Sequence, residues 1–302
     1  FGVDGESGTV TPMPWLGHLH HENQIAIPGY GDKKVILIPD DNASGSEAYL
    51  DVANNEADLM SGAGQLSVFE ADNATGTADL AKGAELTGRF VPIDQNDNTD
   101  GETLQKAVEA AGAFKLVRMG DADYNPATPN VVYFAATGDD ADPNLDASGQ
   151  PLTANGRIYQ LTLDSTDPTK VTSFKVLLDG DRGDDIKNPD NVAVSDDGTT
   201  LMIEEDRNGY NRAENSDDTG RIFAYGIAAG TIETVGKLDQ SDGDALVEPG
   251  EKAGDWEATG IIDVSAIFGP GIWLTAVQAH TRPTPQLGGT DEGGQLLFIR
   301  VK

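Results

Sequence analysis

Short apolar runs recur along this chain at close spacing, each bounded by Gly, Asn, Asp or Pro. That rhythm restricts the fold more than any other feature. The runs are Lys34-Val-Ile-Leu-Ile38, Leu66–Phe69, Gly88–Ile93, Asn130–Ala135, Arg157–Leu163, Thr172–Leu178, Asn191–Val194, Thr200–Ile203, Arg221–Tyr225, Thr231–Val235, Ile272–Gln278 and Gln295–Val301. Runs of about 4–8 residues rich in β-branched and aromatic side chains are strands, too short to bury a helix face. Asn155-Gly156, Asp179-Gly180 and Asp197-Gly198 add hairpin signals, because Gly accepts the positive φ that tight hairpin turns need. One segment departs. Glu102–Gly112 joins strong helix formers to apolar positions at Leu104, Val108 and Ala111 and a Gly stop, which predicts a short helix.

A loose repeat sits on this pattern. Gly156-Arg-Ile-Tyr159 and Gly220-Arg-Ile-Phe223 each open a strand, and each follows an apolar strand, Val131–Ala136 in one case and Thr200–Asp206 in the other. Short antiparallel strands with an internal echo predict an all-β, β-propeller-like fold in one domain over residues 1–302, with a β-sandwich as the alternative. Residues 1–33 read as loop-rich, and residues 53–85 are rich in Ala, Gly, Asn and Asp around one apolar run, Leu66–Phe69.

Charge narrows the partners. The 51 acidic residues against 20 basic ones give a formal net charge of -31. Such a surface repels nucleic acid and anionic membranes and suits a divalent cation or a high-salt setting. No apolar run reaches membrane-spanning length, so no membrane span is expected. There is no cysteine, which removes disulfides and thiol nucleophiles. The chain opens on Phe1 and is read as a processed product or a piece of a longer protein.

Two stretches have the residue types of oxygen-rich cation sites. In Asp255-Trp-Glu-Ala-Thr-Gly-Ile-Ile-Asp263, Glu257 stands two residues before a Thr259-Gly260 turn, and a second strand runs from Ile272 to Gln278 and on to His280. Carboxylates at strand mouths aimed by Gly turns build such sites, but the same spacing fits an ordinary hairpin with a solvated acid. Asp40–Asp51 places oxygen donors at the first, third, fifth and twelfth positions and Gly at the sixth, as in a calcium loop. A strand precedes it, so a free-standing calcium loop and a solvated turn are both open. G-x-S-x-G, P-loop, G-x-G-x-x-G and H-E-x-x-H patterns are all missing.

The segments Trp256-Glu-Ala-Thr-Gly-Ile-Ile-Asp263, Val277-Gln-Ala-His280 and Gly293-Gly-Gln-Leu-Leu297, in that order, resemble the end of the PhoX-type alkaline phosphatases. These are secreted, calcium-dependent β-propeller phosphatases. The resemblance covers most of residues 15–302 but only the later part of the family pattern. A propeller read this way is incomplete, or closed by another segment or a partner chain. The resemblance implies metal ligands at Glu22 in His21-Glu-Asn23, at Asp121, at Glu205 in Glu204-Glu-Asp206, and at Glu257, with His20 or His21 in support. Only one of Glu204 and Glu205 can face the site, and the family pattern selects Glu205. It further implies a phosphate clamp at Arg118 in Phe114–Tyr124, calcium as cofactor with iron as a second candidate, a phosphate ester or other small molecule as partner, and secretion or a periplasmic location. Two departures stand against activity. Gly120 replaces a family Glu, and the family's iron-bound cysteine has no counterpart. A catalytically inactive extracellular binding or assembly module is therefore the alternative, and a single-calcium, lactonase-like hydrolase a third reading.

Overall fold

The structure is a computed structural model describing residues 1–42, 45–94, 99–139, 145, 149, 151–206, 219–239, 256–283 and 292–301. Its strands follow one another as antiparallel meanders. A short ribbon of β1 (Gly2–Val3) and β2 (Val10–Thr11) comes first. The largest sheet holds β3 (Ile25–Ala26), β4 (Lys34–Pro39), β5 (Ala48–Ala53), β6 (Gln65–Ala71), β7 (Glu85–Pro92), β8 (Met119–Asn125), β9 (Thr128–Ala136), β10 (Arg157–Leu163) and β11 (Lys170–Asp179). Its order is β3-β4-β5-β6-β7-β11-β10-β9-β8, so two meanders join edge to edge through β7 and β11. At the far end β3 and β4 come back against β8, which nearly closes the sheet. A four-stranded meander follows, β12 (Pro189–Val194), β13 (Thr200–Glu205), β14 (Arg221–Gly226) and β15 (Thr231–Lys237). The last sheet has three strands, β16 (Trp256–Asp263), β17 (Ile272–Pro283) and β18 (Glu292–Arg300). The fold is all-β and propeller-like.

The apolar runs explain the cores. Phe69, Phe114, Phe134, Tyr159 and Phe174 are buried together inside the large sheet, with Phe69 and Phe174 edge-on at 5.0 Å between centroids and Tyr159 stacked on Phe174 at 5.2 Å. Full burial of such side chains contributes about 1.5–3 kcal/mol each. Tyr133, Ile158, Val192, Leu201 and Phe223 pack that sheet against the third meander, and Met202, Ile222, Ile261 and Trp273 pack the third against the last.

The helix expected over 102–112 is α2 (Gly101–Ala110), after α1 (Glu56–Ser61) and before α3 (Ser265–Phe268). Asp100 caps α2 by accepting from Thr103 N at 2.8 Å, and Leu104 and Val108 lie buried on its inner face. The two Gly-Arg-Ile segments begin β10 and β14, each the third strand of its meander. Their arginines serve parallel ends: Arg157 pairs with buried Asp179 at 3.0 Å, and Arg221 pairs with buried Glu205.

Three expectations change. Asp179-Gly180 closes no hairpin, since β11 and β12 are not paired. The Thr259-Gly260 turn is a bulge inside β16, with Gly260 at φ 64. Asp40 and Asp51 do not bracket a calcium loop; both are buried, and Asp51 lies within β5 paired to Ile36. Residues 43 and 44 of that stretch, with Asp255 and Arg207, lie outside the described residues.

Carboxylates tie the inner strands together. β8, β12 and β16 lie side by side, and Asp121 Oδ2 accepts from Val192 N at 2.9 Å while Asp123 Oδ2 accepts from Val194 N at 2.8 Å. Asp263 Oδ2 accepts from Asp196 N at 3.0 Å in the same manner between β12 and β16. These acids satisfy backbone N–H groups that would otherwise face the crevice bare.

Candidate metal and phosphate site

The leading ends of β8, β12 and β16, the trailing end of β13, the segment just past β4 and the segment just before β3 supply the candidate residues. Arg118 immediately precedes β8 in a left-handed conformation, φ 51, a strained state for a side chain of this size. The backbone around it holds that state: Arg118 N donates to Asn42 O at 3.4 Å and its carbonyl accepts from Thr137 N at 2.8 Å. Its guanidinium forks onto Asp41, Nε to Oδ1 at 3.1 Å and Nη2 to Oδ2 at 3.2 Å. This two-point pairing fits Arg to flat oxyanions.

Glu22 lies beside this pair. Burial pushes its carboxyl well above the usual range, the charges of Asp190, Asp41 and Asp121 push the same way, and Arg118 opposes them. Asp190 is buried at the start of β12 and accepts from Thr137 Oγ1 at 2.6 Å; burial and then Asp206 raise its carboxyl. Glu204 is fully buried. Its Oε1 accepts from Thr275 Oγ1 at 2.5 Å, while Oε2 has no hydrogen-bond partner. Burial raises Glu204 to about 8, Thr275 opposes this, and Asp121, Asp190 and Glu257 add to it. An ionised Glu204 would therefore leave a bare charge in the interior.

The residues selected from sequence separate into two groups. Glu22, Arg118, Asp121 and Glu257 share one electrostatic neighbourhood, linked through Asp190 and Glu204. Asp121 is also a structural acceptor. Besides Val192 N, it takes Ala122 N at 2.8 Å and Asn23 Nδ2, and burial raises it to about 6. Glu205 lies elsewhere. It is fully buried against Arg221, with Nη2 to Oε1 and Nε to Oε2 at 2.8 and 2.9 Å, and it accepts from Lys187 N at 2.7 Å. The expected choice within the pair is thus reversed: Glu204 faces the acids and Glu205 locks to Arg221. The histidine rings are engaged away from Glu22: the exposed His20 ring lies 3.7 Å from Asp40, and the His21 ring bonds Gly17 O at 2.8 Å. The His280 side chain lies outside the described residues.

Asp41, Asp190, Glu204 and Thr275 were not selected from sequence. Asp190 is the second residue of β12, and the Pro that opens the strand was its only signal.

The residue types fit a hard cation. All donors are carboxylate oxygens, one of them orphaned, and burial holds several of them above their ordinary range. Among the described residues, no three of His, Asp and Glu yet meet at coordinating distance.

The family profile described as alkaline phosphatase PhoX matches residues 1–263. The chain belongs to the PhoX alkaline phosphatase family. PhoX enzymes are metal-dependent phosphatases. No curated protein matches the chain. Among solved structures, the chain is similar to a GH74 enzyme of Niastella koreensis at 13% identity and TM-score 0.40, covering 93% of this chain and 36% of that one. It is also similar to an α-L-arabinofuranosidase of Podospora anserina, at 12% identity and TM-score 0.33, covering 94% and 91%. TolB of Acinetobacter baumannii aligns at 11% identity and TM-score 0.26, covering 86% and 52%. The chain thus spans about a third of the length of the GH74 enzyme.

Proposed function

We propose that this chain is a calcium-binding, exported phosphate-ester hydrolase of the PhoX kind, folded as one domain over residues 1–302. The observation that carries the reading is Arg118, a forked cation held by Asp41 at the rim of buried acids that include Glu22 and Asp190. Arg118 would take two oxygens of the phosphate, with Asp41 fixing the fork before the ester arrives. Glu22, Asp190, Glu204 and Glu257 would hold calcium. When bound, it neutralises charge on the transferring phosphoryl group. Asp121 would contribute through position, its oxygens being already engaged by Val192, Ala122 and Asn23. Glu205 is reassigned to Arg221 and left out of the ligand set. Iron remains the second candidate metal. The test is phosphate release from an aryl phosphate at alkaline pH, with calcium and with chelator. Turnover that needs calcium supports the proposal; none in either condition rejects it.

An inactive binding or assembly module is the second reading. It rests on Gly120, where the Glu22 carboxylate fills the space of a missing side chain, and on the lack of cysteine. Calcium-dependent stabilisation without turnover would favour it.

A further inference from the structure

Among the described residues, three that are not glycine hold a positive φ, and two of these stand at the entries of inner strands: Arg118, at φ 51, immediately before β8, and Asn188, at φ 50, immediately before β12. A left-handed arginine persists only where its surroundings impose it. Both residues bond to one partner. Thr137, the first residue past β9, donates its backbone N–H to Arg118 O at 2.8 Å, and its carbonyl accepts from Asn188 Nδ2 at 3.1 Å. Its hydroxyl reaches a third group, donating from Oγ1 to Asp190 Oδ1 at 2.6 Å.

Thr137 is itself fixed in place. It is buried, and the backbone of Gly156 packs so closely on it that a Cβ there would come 2.5 Å from Thr137 O. Asn188 is held from two further sides, its N–H donating to Asn155 O at 2.8 Å and its carbonyl accepting from Asp206 N at 2.9 Å. The bonds of Asp121 and Asp123 align β8 with β12 along their length. Thr137 joins the same strands at their entries, where Arg118 and Asp190 meet electrostatically. Phosphoryl transfer depends on ester and cation being held in one geometry, and small misplacements are costly.

On the reading of Arg118 as phosphate clamp and Asp190 as calcium ligand, we propose that Thr137 is a positioning residue, fixing the spacing of the two through its N–H and its hydroxyl. It touches neither ester nor metal. The N–H holds the turn from which the Arg118 fork projects, and the hydroxyl holds the rotation of the Asp190 carboxylate. Valine has the shape of threonine and lacks the hydroxyl, so Thr137→Val frees Asp190 and leaves the bond to Arg118 in place.

Calcium calorimetry and steady-state kinetics on an aryl phosphate test this, with thermal melts in chelator to establish folding. Thr137→Val should weaken calcium affinity about tenfold, the loss expected for one hydrogen bond to a carboxylate. With calcium saturating, kcat should fall while KM stays, because the Arg118 fork is untouched. Thr137→Ser keeps the hydroxyl and should restore both affinity and kcat. Thr137→Ala removes the hydroxyl without placing a methyl beside Asp190, and should repeat the loss. In an Asp190→Asn background, Thr137→Val should cost no further affinity, because the two residues act as one unit. Unchanged affinity in both hydroxyl-free variants, Thr137→Ser as weak as Thr137→Val, or a full further loss beside Asp190→Asn would each overturn the role of Thr137 and leave the hydrolase reading standing. Weakened affinity in Thr137→Val, with no turnover in the unmodified chain, would support the role and reject the hydrolase reading alone. An unmodified chain that binds no calcium overturns both.

Discussion

The carboxylate of Glu22 lies over the backbone of Gly120: a Cβ built on that glycine would come 2.6 Å from Glu22 Oε2. The contact is with the tip of a flexible side chain, so Gly120→Ala should still fold, at a loss of about 1 kcal/mol. The displaced Glu22 should bind calcium poorly. A tenfold weaker affinity removes about 1.4 kcal/mol of ligand-conferred stability. Thermal melts with calcium and with chelator, at matched ionic strength, check this; an unchanged calcium shift would remove Glu22 from the ligand set.

Glu204 and Glu205 should respond in opposite ways. Glu205→Gln breaks a buried ion pair with Arg221 and is expected to cost about 3–5 kcal/mol while leaving the calcium shift alone. Glu204→Gln keeps the shape and removes an acid raised by burial, so the calcium-free protein should not weaken, yet calcium should stabilise it less. Chemical denaturation of both variants, each with and without calcium, separates the roles.

Arg118→Lys replaces a two-point fork with a single ammonium. Phosphate-ester turnover, where present, should fall about 10²–10³-fold, the loss typical of one removed oxyanion donor. Steady-state kinetics on an aryl phosphate would measure it, and a fall in KM affinity alone would mean that Arg118 only binds.

Without cations, stability should fall as pH rises from about 4 to about 8. Burial holds Asp51, Asp121 and Asp123 at about 6, Asp40 at about 7 and Glu204 at about 8. Over that interval the folded chain keeps protons that the unfolded chain has released, and the folded state is penalised as they leave. Asp197 and Asp164, lowered by their side-chain hydrogen bonds to Thr199 and Thr166, act in the opposite sense, but only below the ordinary carboxylate range. Asp51 isolates the effect, since burial alone raises it and its Oδ2 has no partner. Asp51→Asn should stabilise the protein by about 1–3 kcal/mol at pH 8 and little at pH 4. Urea titrations at the two pH values would show it, and destabilisation at pH 8 would mean that Asp51 holds a partner.

The strands were legible wherever apolar residues ran together, as in Lys34–Ile38 and Arg157–Leu163, because burial on both faces leaves a continuous signal. β8 and β16 were harder to read. Met119-Gly-Asp-Ala-Asp-Tyr-Asn125 carries acids on strand positions, and only the neighbouring strand's N–H groups explain them. Strand alternation says only that one of Glu204 and Glu205 faces the acids. The choice of Glu205 came from the resemblance, and the ion pair that engages Glu205, with Arg221 16 positions away, leaves no mark on the local sequence. Asp41 was hidden because its partner Arg118 lies 77 positions away in sequence.

The bonds from Asp121 to Val192 and from Asp123 to Val194 index β8 against β12 in steps of two residues. Alignment between these strands can therefore shift only by whole pleats. A single inserted residue in either strand would turn both acids to the opposite side and strand two amide hydrogens at once. Length variation in relatives of this chain should then gather in the outer hairpins, such as Asp197-Gly198, and spare the stretches 119–125 and 189–194.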